Sequence, residues 1–491
     1  MTAILPDKTD SRSEKILRSS ATELARAIRH GELRSIEVVN AHLDRIAAVN
    51  PQLNAVVYDL APSARAMAKE ADAARERGAD LGPLHGVPCT IKESFAMPET
   101  PFTSGLVARI GIRPSETATA VKRLVDAGAI PMGKTNVSEL CMWMEGNNKV
   151  YGRTNNPYDP SRIVGGSSSG EGAIIGAGGS PFGLGSDIGG SIRMPAFFNG
   201  IFGHKPTGGL IPNSGQYPAA ENNSARYCTT GPLARNAEDL ALLVDIMRGP
   251  DGICEGAREM EFGDPSKVDL SKLRVLHVPD DGRNRVHAEL RTAQNEVARA
   301  LESLGARVIE KRFPKLERSF EIWAAMLAAD GGTTFRELMG EGKDGGFKLL
   351  PELFRYFLGV SDHTLPAVIL AALEQVGESM EEKQRELVEL GLELRRELSE
   401  ELGEDGIMLY PSHPVPAPKH GVPLLFPFRW VYTGILNMME IPATQVPLGL
   451  SKKGLPLGVQ VAANHERDHL TIAAALFLEK RFGGWRPPPG S

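Results

Sequence analysis

Between Gly165 and Ser191 the chain runs Gly165-Gly166-Ser167-Ser168-Ser169-Gly170-Glu171-Gly172, then a short apolar stretch, then Gly183-Leu184-Gly185-Ser186-Asp187-Ile188-Gly189-Gly190-Ser191. Each glycine weakens a helix or strand by roughly 0.5–1 kcal/mol relative to alanine, so an ordinary core element does not carry so many. A flexible Gly/Ser linker would lack apolar content, whereas Ala173-Ile174-Ile175-Gly176-Ala177 is a small-residue helix suited to tight packing. The segment is therefore expected to make special turns and to bring backbone close to a bound molecule.

The rest of the sequence supplies the body around it. With 491 residues, 42% hydrophobic and 24% charged, the chain can bury a substantial core and has the composition of a globular protein. Its net charge is −6 and it has no long basic run, which argues against nucleic acid as a partner. Cys89, Cys141, Cys228 and Cys254 have no C-x-x-C spacing and are expected to be reduced thiols. The first fifteen residues lack the apolar region of a secretory signal, and nowhere do 18 apolar residues run together. A cytoplasmic enzyme without a transmembrane span is the expectation, and without secretion the sequons at Asn136 and Asn222 carry no meaning.

Residues 1–18 are expected to form a loose arm. Residues 19–80 should be a helical scaffold, opened by the capping-box spacing of Ser20 and Glu23. A buried strand is expected over 86–94, with Lys92 ending its apolar run, followed by a helix over 116–127 and a strand near 129–132. The stretch 201–218 reads as a long loop and site wall. Strands at 274–278 and 306–309 flank a helix in a βαβ pattern. Residues 319–404 are expected to be a mainly helical insertion forming a substrate channel or cap. Its apolar cluster from Phe347 to Leu358 reads as helix core, with an apolar channel or membrane-touching cap as the sharper alternative. Strands at 406–410 and 457–461 and a helix over 470–480 complete an α/β chain.

Two motifs are decoys. Gly128-Ala129-Ile130-Pro131-Met132-Gly133-Lys134-Thr135 matches a phosphate-binding loop letter for letter, but Gly128 follows a helix and the strand lies inside the motif. His465-Glu466-Arg467-Asp468-His469 matches a zinc helix, yet Asp468 reads as the N-cap of the last helix, which separates the two histidines.

Lys92, the Ser167 turn and Asp187-Ile188-Gly189-Gly190-Ser191 together resemble the amidase signature family, most densely over 133–207. The resemblance implies a large mixed, mostly parallel central sheet covered by helices on both faces, with residues 81–485 as the signature domain. It also implies a Ser-Ser-Lys triad with a cis peptide bond at the middle serine. Ser191 would be the nucleophile, Ser167 the bridging serine and Lys92 the base, with no metal and no cofactor.

The chemistry agrees with that assignment. A serine hydroxyl needs a positioned base, and no histidine stands in the three motif pieces. A lysine acts as base only when neutral, so Lys92 would have to be desolvated. Ser167 can donate and accept at once and so relay a proton. The N–H groups of Ile188, Gly189, Gly190 and Ser191 would form an oxyanion hole. Ser168, Asp187 and Arg193 read as hydrogen-bonding supports, a plain structural ion pair of Asp187 with Arg193 being the alternative.

Many members of that family have threonine at the position before Gly189-Gly190, but here it is Ile188, which resembles fatty-acid-amide hydrolases, and Cys141, Met142 and Trp143 make the segment 140–145 bulky and apolar. With Phe354 they are the expected substrate-binding residues. An apolar or aryl amide, or a carbamate, anilide or ester, is the expected substrate. An amidotransferase A-type subunit with partner subunits is the rival and a nucleotide-binding protein the remote one. Monomer and homodimer both remain open.

Overall fold

A computed structural model describes residues 12–377 and 381–489. Thirteen strands are present among the described residues: β1 (Val56–Asp59), β2 (Pro88–Lys92), β3 (Ile130–Thr135), β4 (Asn147–Asn148), β5 (Gly152–Arg153), β6 (Phe182–Asp187), β7 (Phe202–Lys205), β8 (Thr229–Ala234), β9 (Arg274–His277), β10 (Arg307–Glu310), β11 (Gly406–Tyr410), β12 (Ala443–Leu450) and β13 (Pro456–Ala463). Eleven of them form one sheet in the order β1-β3-β2-β6-β8-β7-β12-β13-β11-β9-β10, while β4 and β5 pair separately.

The sheet is mixed, as expected, but parallel pairing does not predominate. It is confined to two flanks, β3-β2-β6 and β11-β9-β10. From β6 through β11 every neighbour is antiparallel. Of the middle strands, β7 and β8 escape a pattern search because Gly203 and His204 interrupt β7, and Gly231 and Pro232 interrupt β8. Between β12 and β13 a tight turn closes with Ser451 N–H donating to the Leu455 carbonyl at 2.7 Å.

Helices cover both faces, and strand alternation sorts the core between them. Ile407 and Leu409 of β11 join a cluster with Leu124, Leu240, Leu301 and Leu478. Their neighbours Met408 and Tyr410 join Phe197, Trp323, Leu398 and Ile435 on the other face. The βαβ pattern is present as expected, with helix Ala288–Ser303 between parallel β9 and β10.

Residues 1–11 of the expected arm lie outside the described residues. Arg12–Arg18 is not loose but a helix with Ile16 buried. The stretch 19–80 contains helices Ala21–Arg29, Ser35–Leu53 and Ala61–Glu76, and it also supplies the edge strand β1. The expected loop over 201–218 begins with β7.

Between 319 and 402 lie helices Ser319–Ala328, Phe335–Met339, Leu349–Phe357, Leu365–Gly377 and Glu381–Leu402. The apolar cluster read there as helix core is divided. Phe347, Leu349 and Leu353 pack toward Leu106, Leu140 and Met339, while Leu350, Phe354, Phe357 and Leu358 are exposed. No helix among the described residues is long and apolar enough to cross a membrane.

Candidate active site

Lys92 is the last residue of β2, on the parallel flank where Thr90 pairs with Gly183 and Ile91 with Leu184 of β6. Its side chain is fully buried. Nζ donates to Ser167 Oγ at 2.7 Å and to Ser186 Oγ, on β6, at 2.9 Å. The Gly166–Ser167 peptide bond is cis. Glycine is required at 166 because a Cβ there would lie 2.0 Å from the Trp143 carbonyl oxygen. Two residues on, the chain enters the fully buried helix Ser169–Gly176, the small-residue helix read from the sequence.

Ser191 follows β6 and is 8% exposed, against 1% for Ser167. The two serine turns lie side by side, since Ser168 N–H donates to the Ser191 carbonyl at 3.2 Å. Ser168 Oγ also accepts a long bond from Ser186 N–H at 3.4 Å.

Asp187 and Arg193 hold the loop between them. Asp187 accepts from the N–H groups of Gly190 at 2.7 Å and Ile192 at 3.0 Å. It also accepts from Arg193 Nε at 3.1 Å and Nη2 at 3.0 Å. Burial alone would raise the Asp187 carboxyl, but Arg193, then Lys205 and the Ile192 N–H, hold it down at about 2. The expected set of four oxyanion donors therefore needs one correction: the Gly190 N–H is committed to Asp187. The N–H groups of Ile188, Gly189 and Ser191 have no partner among the described residues. Gly190 has another requirement for glycine, with φ +115° and a Cβ position 1.9 Å from Thr433 Oγ1.

A second buried acid stands beside the lysine. Glu171, on helix Ser169–Gly176, accepts from Thr90 Oγ1 of β2 at 2.6 Å and from Thr135 Oγ1 of β3 at 2.8 Å. Burial pushes its carboxyl up to about 8 against the pull of both threonines and Lys92.

The expected substrate residues divide. Met142, Trp143 and Ile188 are half-buried against one apolar cluster that contains Met144, Trp323 and Ile435. Cys141, half-buried, is held in a left-handed turn with Leu140 (φ 59° and 51°). Glu139 ahead of them accepts from the Thr364 N–H at 2.7 Å and pairs with His363 Nδ1 at 2.6 Å, tying this wall to the helical insertion. Phe354 is not brought there. It is 66% exposed, and the residues of its helix that pack inward are Leu349 and Leu353.

Sequence reading misses Ser186, Glu171, Trp323 and Thr433. Ser186 carries one signal, a hydroxyl in the same glycine-rich run, but strand adjacency is needed to aim it at Lys92. Trp323 Nε1 donates to the Ile188 carbonyl at 2.9 Å across 135 residues of sequence, for which no local signal exists.

The decoys resolve by placement. Lys134 Nζ is buried and donates to the carbonyls of Phe95 at 2.8 Å and Pro101 at 2.5 Å, leaving it turned into the protein. Asp468 does not cap the last helix but is its first residue. Its carboxylate accepts from Thr207 N–H at 2.9 Å and meets His204 Nε2 at 3.1 Å. His465 lies before that helix and His469 within it. Among the described residues no three His, Cys, Asp or Glu side chains are grouped to hold a metal ion.

The chain belongs to the amidase family, whose model matches residues 37–472. It is a hydrolase acting on carbon–nitrogen bonds other than peptide bonds. It is 48% identical to fatty-acid amide hydrolase 2-A of Danio rerio, over 96% of this chain and 90% of that one. It is 44% identical to fatty-acid amide hydrolase 2 of Homo sapiens, over 97% and 91%. A solved fatty acid amide hydrolase superposes with a TM-score of 0.79 at 26% identity, over 97% of this chain and 87% of that chain. The glutamyl-tRNA(Gln) amidotransferase A-type subunit of Salinispora tropica is more distant, 28% identical over 96% and 98%.

Proposed function

We propose that this chain hydrolyses apolar or aryl amides through a covalent acyl-enzyme on Ser191. The observation that carries this reading is the fully buried Lys92 Nζ, 2.7 Å from Ser167 Oγ at the turn beside Ser191. In the neutral amine form Lys92 takes the Ser167 proton while Ser167 takes that of Ser191. Ser191 Oγ then bonds to the amide carbon. The carbonyl oxygen gains the electron pair and faces the free N–H groups of the 188–191 loop. Collapse breaks the C–N bond, and the proton returns through Ser167 to the leaving amine. Water repeats the sequence to release the carboxylic acid and restore Ser191.

The apolar wall of Met142, Trp143 and Ile188 favours an apolar acyl or amine group over a charged one. Esters, anilides and carbamates are open to the same attack. The identity to fatty-acid amide hydrolases supports this choice over the amidotransferase reading. The test is covalent labelling by a fluorophosphonate followed by peptide mass spectrometry. The adduct is expected on Ser191 and absent in Ser191→Ala, with turnover of a fatty-amide, anilide and carbamate panel lost in parallel. Inactivation without an adduct at Ser191 would overturn the assignment.

A further inference from the structure

We infer that Trp323 is a positioning residue for the oxyanion loop, aiming the Gly189 N–H at the developing charge. This rests on the Ser191 reading above and concerns a residue in the helical insertion, outside the glycine-serine segment.

In a trans peptide the carbonyl of one residue and the N–H of the next point in opposite directions, and the plane turns as a unit. The Ile188 carbonyl receives the indole N–H of Trp323 at 2.9 Å, so the Gly189 N–H is turned to the side away from that indole. That N–H has no partner among the described residues. Glycines at 189 and 190 leave this loop without side chains to limit its rotation, so an external restraint is needed to hold the plane.

The next plane is restrained differently. Thr433 Oγ1 lies 2.9 Å from the Gly189 carbonyl and 2.7 Å from the Trp430 carbonyl, and a hydroxyl has one proton to give. The Gly190 N–H at the other end of that plane is held by Asp187. The 189–190 plane is therefore fixed at its N–H end by Asp187, whereas the Ile188–Gly189 plane is fixed from its carbonyl end by the indole.

Trp323 is itself held. Its ring meets Trp430 edge to face at 4.7 Å between centroids, and Trp430 would touch a Cβ on Gly189 at 3.0 Å. Phe320, one turn earlier on the helix, lies 4.0 Å from Phe428 and 6.3 Å from Trp430. A rigid aromatic block thus delivers one N–H to one carbonyl.

The test replaces Trp323 with 3-benzothienylalanine, which puts sulfur in place of the N–H and keeps the ring shape, alongside Trp323→Phe. Readouts are kcat and KM for an apolar anilide, and inhibition by a trifluoromethyl ketone compared with a non-reactive amide analogue. The expected result for the sulfur variant is a roughly tenfold loss in kcat and in ketone affinity, with KM and amide affinity unchanged, smaller than the loss of a direct donor. Unchanged kcat and ketone affinity, or equal weakening of both inhibitors, would overturn the inference. Ser191→Ala separates the two levels. If it is inactive while the sulfur variant is normal, the Trp323 inference alone falls; if it retains turnover, the underlying reading falls and takes the inference with it.

Discussion

Arg193 and Asp187 face each other at 3.0 Å with both side chains completely shielded from water. The guanidinium goes on to Gln460 Oε1 of β13 at 2.8 Å and to Asn437 Oδ1 of helix Val431–Met438 at 2.7 Å, so one cation joins the nucleophile loop, the sheet and a covering helix. Removing one partner of such a pair strands a buried charge, which costs about 3–5 kcal/mol. Arg193→Met is expected to be destabilised by that order in chemical denaturation and to lose fluorophosphonate labelling. The acid side follows from the lowered Asp187 carboxyl at about 2. A depressed acid stabilises the fold above its unfolded value and loses that contribution as pH falls toward the folded one. Stability should therefore decline from about pH 4 to pH 2, and Asp187→Asn should lack this component of the decline.

Glu171 predicts the opposite slope. Its carboxyl is raised to about 8, so between the ordinary glutamate value and 8 the folded chain binds the additional proton. Stability contributed by this group is then present at low pH and lost as pH rises through that window. Glu171→Gln should flatten the descending part of the stability profile between about pH 4.5 and 8. A slope identical to that of the parent protein would show that the proton is taken up elsewhere.

Ser186 offers a subtler test of the lysine's setting. It is one of two hydroxyls that Lys92 reaches, and the one that does not lie on the path to Ser191. Ser186→Ala should lower kcat about tenfold with little change in KM, in line with the loss of one bond to the ammonium that forms as Lys92 accepts the proton. Ser186→Thr, which keeps the hydroxyl, should restore most of the rate. Equal behaviour of the two variants would remove Ser186 from the proton path's surroundings.

Trp143 and Phe354 should separate cleanly in a selectivity experiment. Trp143 packs against the cluster that also holds Ile188, whereas Phe354 is 66% exposed. Trp143→Ala is expected to change the ratio of kcat/KM between long and short acyl amides by several-fold, and Phe354→Ala to leave the ratio for water-soluble anilides unaltered. A shift produced only by Phe354→Ala would invert the assignment of the wall.

The site is legible where chemistry requires unusual residues in one short stretch. The turns at Ser167 and Ser191 stand out because glycine and serine at that density have few structural uses, whereas Lys92, 75 residues before Ser167, is singled out only by the family resemblance. Asp187 and Arg193 are legible as supports because they bracket the loop they bind. Glu171 stands in plain view within the same run, yet only the packing of its helix against Thr90 and Thr135 gives it significance. The balance of parallel and antiparallel strands is hidden because β7 and β8 carry Gly, His and Pro where pattern reading expects branched residues. Phe354 is misplaced by sequence because an apolar run on a helix does not reveal which of its sides is covered. Trp323 and Thr433 reach the loop only through tertiary contact, and nothing near them in sequence points to it.

The placement of Lys92 and Ser186 on neighbouring parallel strands has a bearing on how such a protein can be re-engineered. Their separation is set by the sheet's own ladder, whereas the helices between 319 and 402 share the core on one face of that sheet, where Trp323 and Leu398 pack with Met408 and Tyr410 of β11. A transplanted cover would bring a new pocket shape to an intact reactive centre. It would also have to keep an indole at the position of Trp323 and the bonds of His363 and Thr364 to Glu139, because each of these reaches from the helical insertion to a residue outside it.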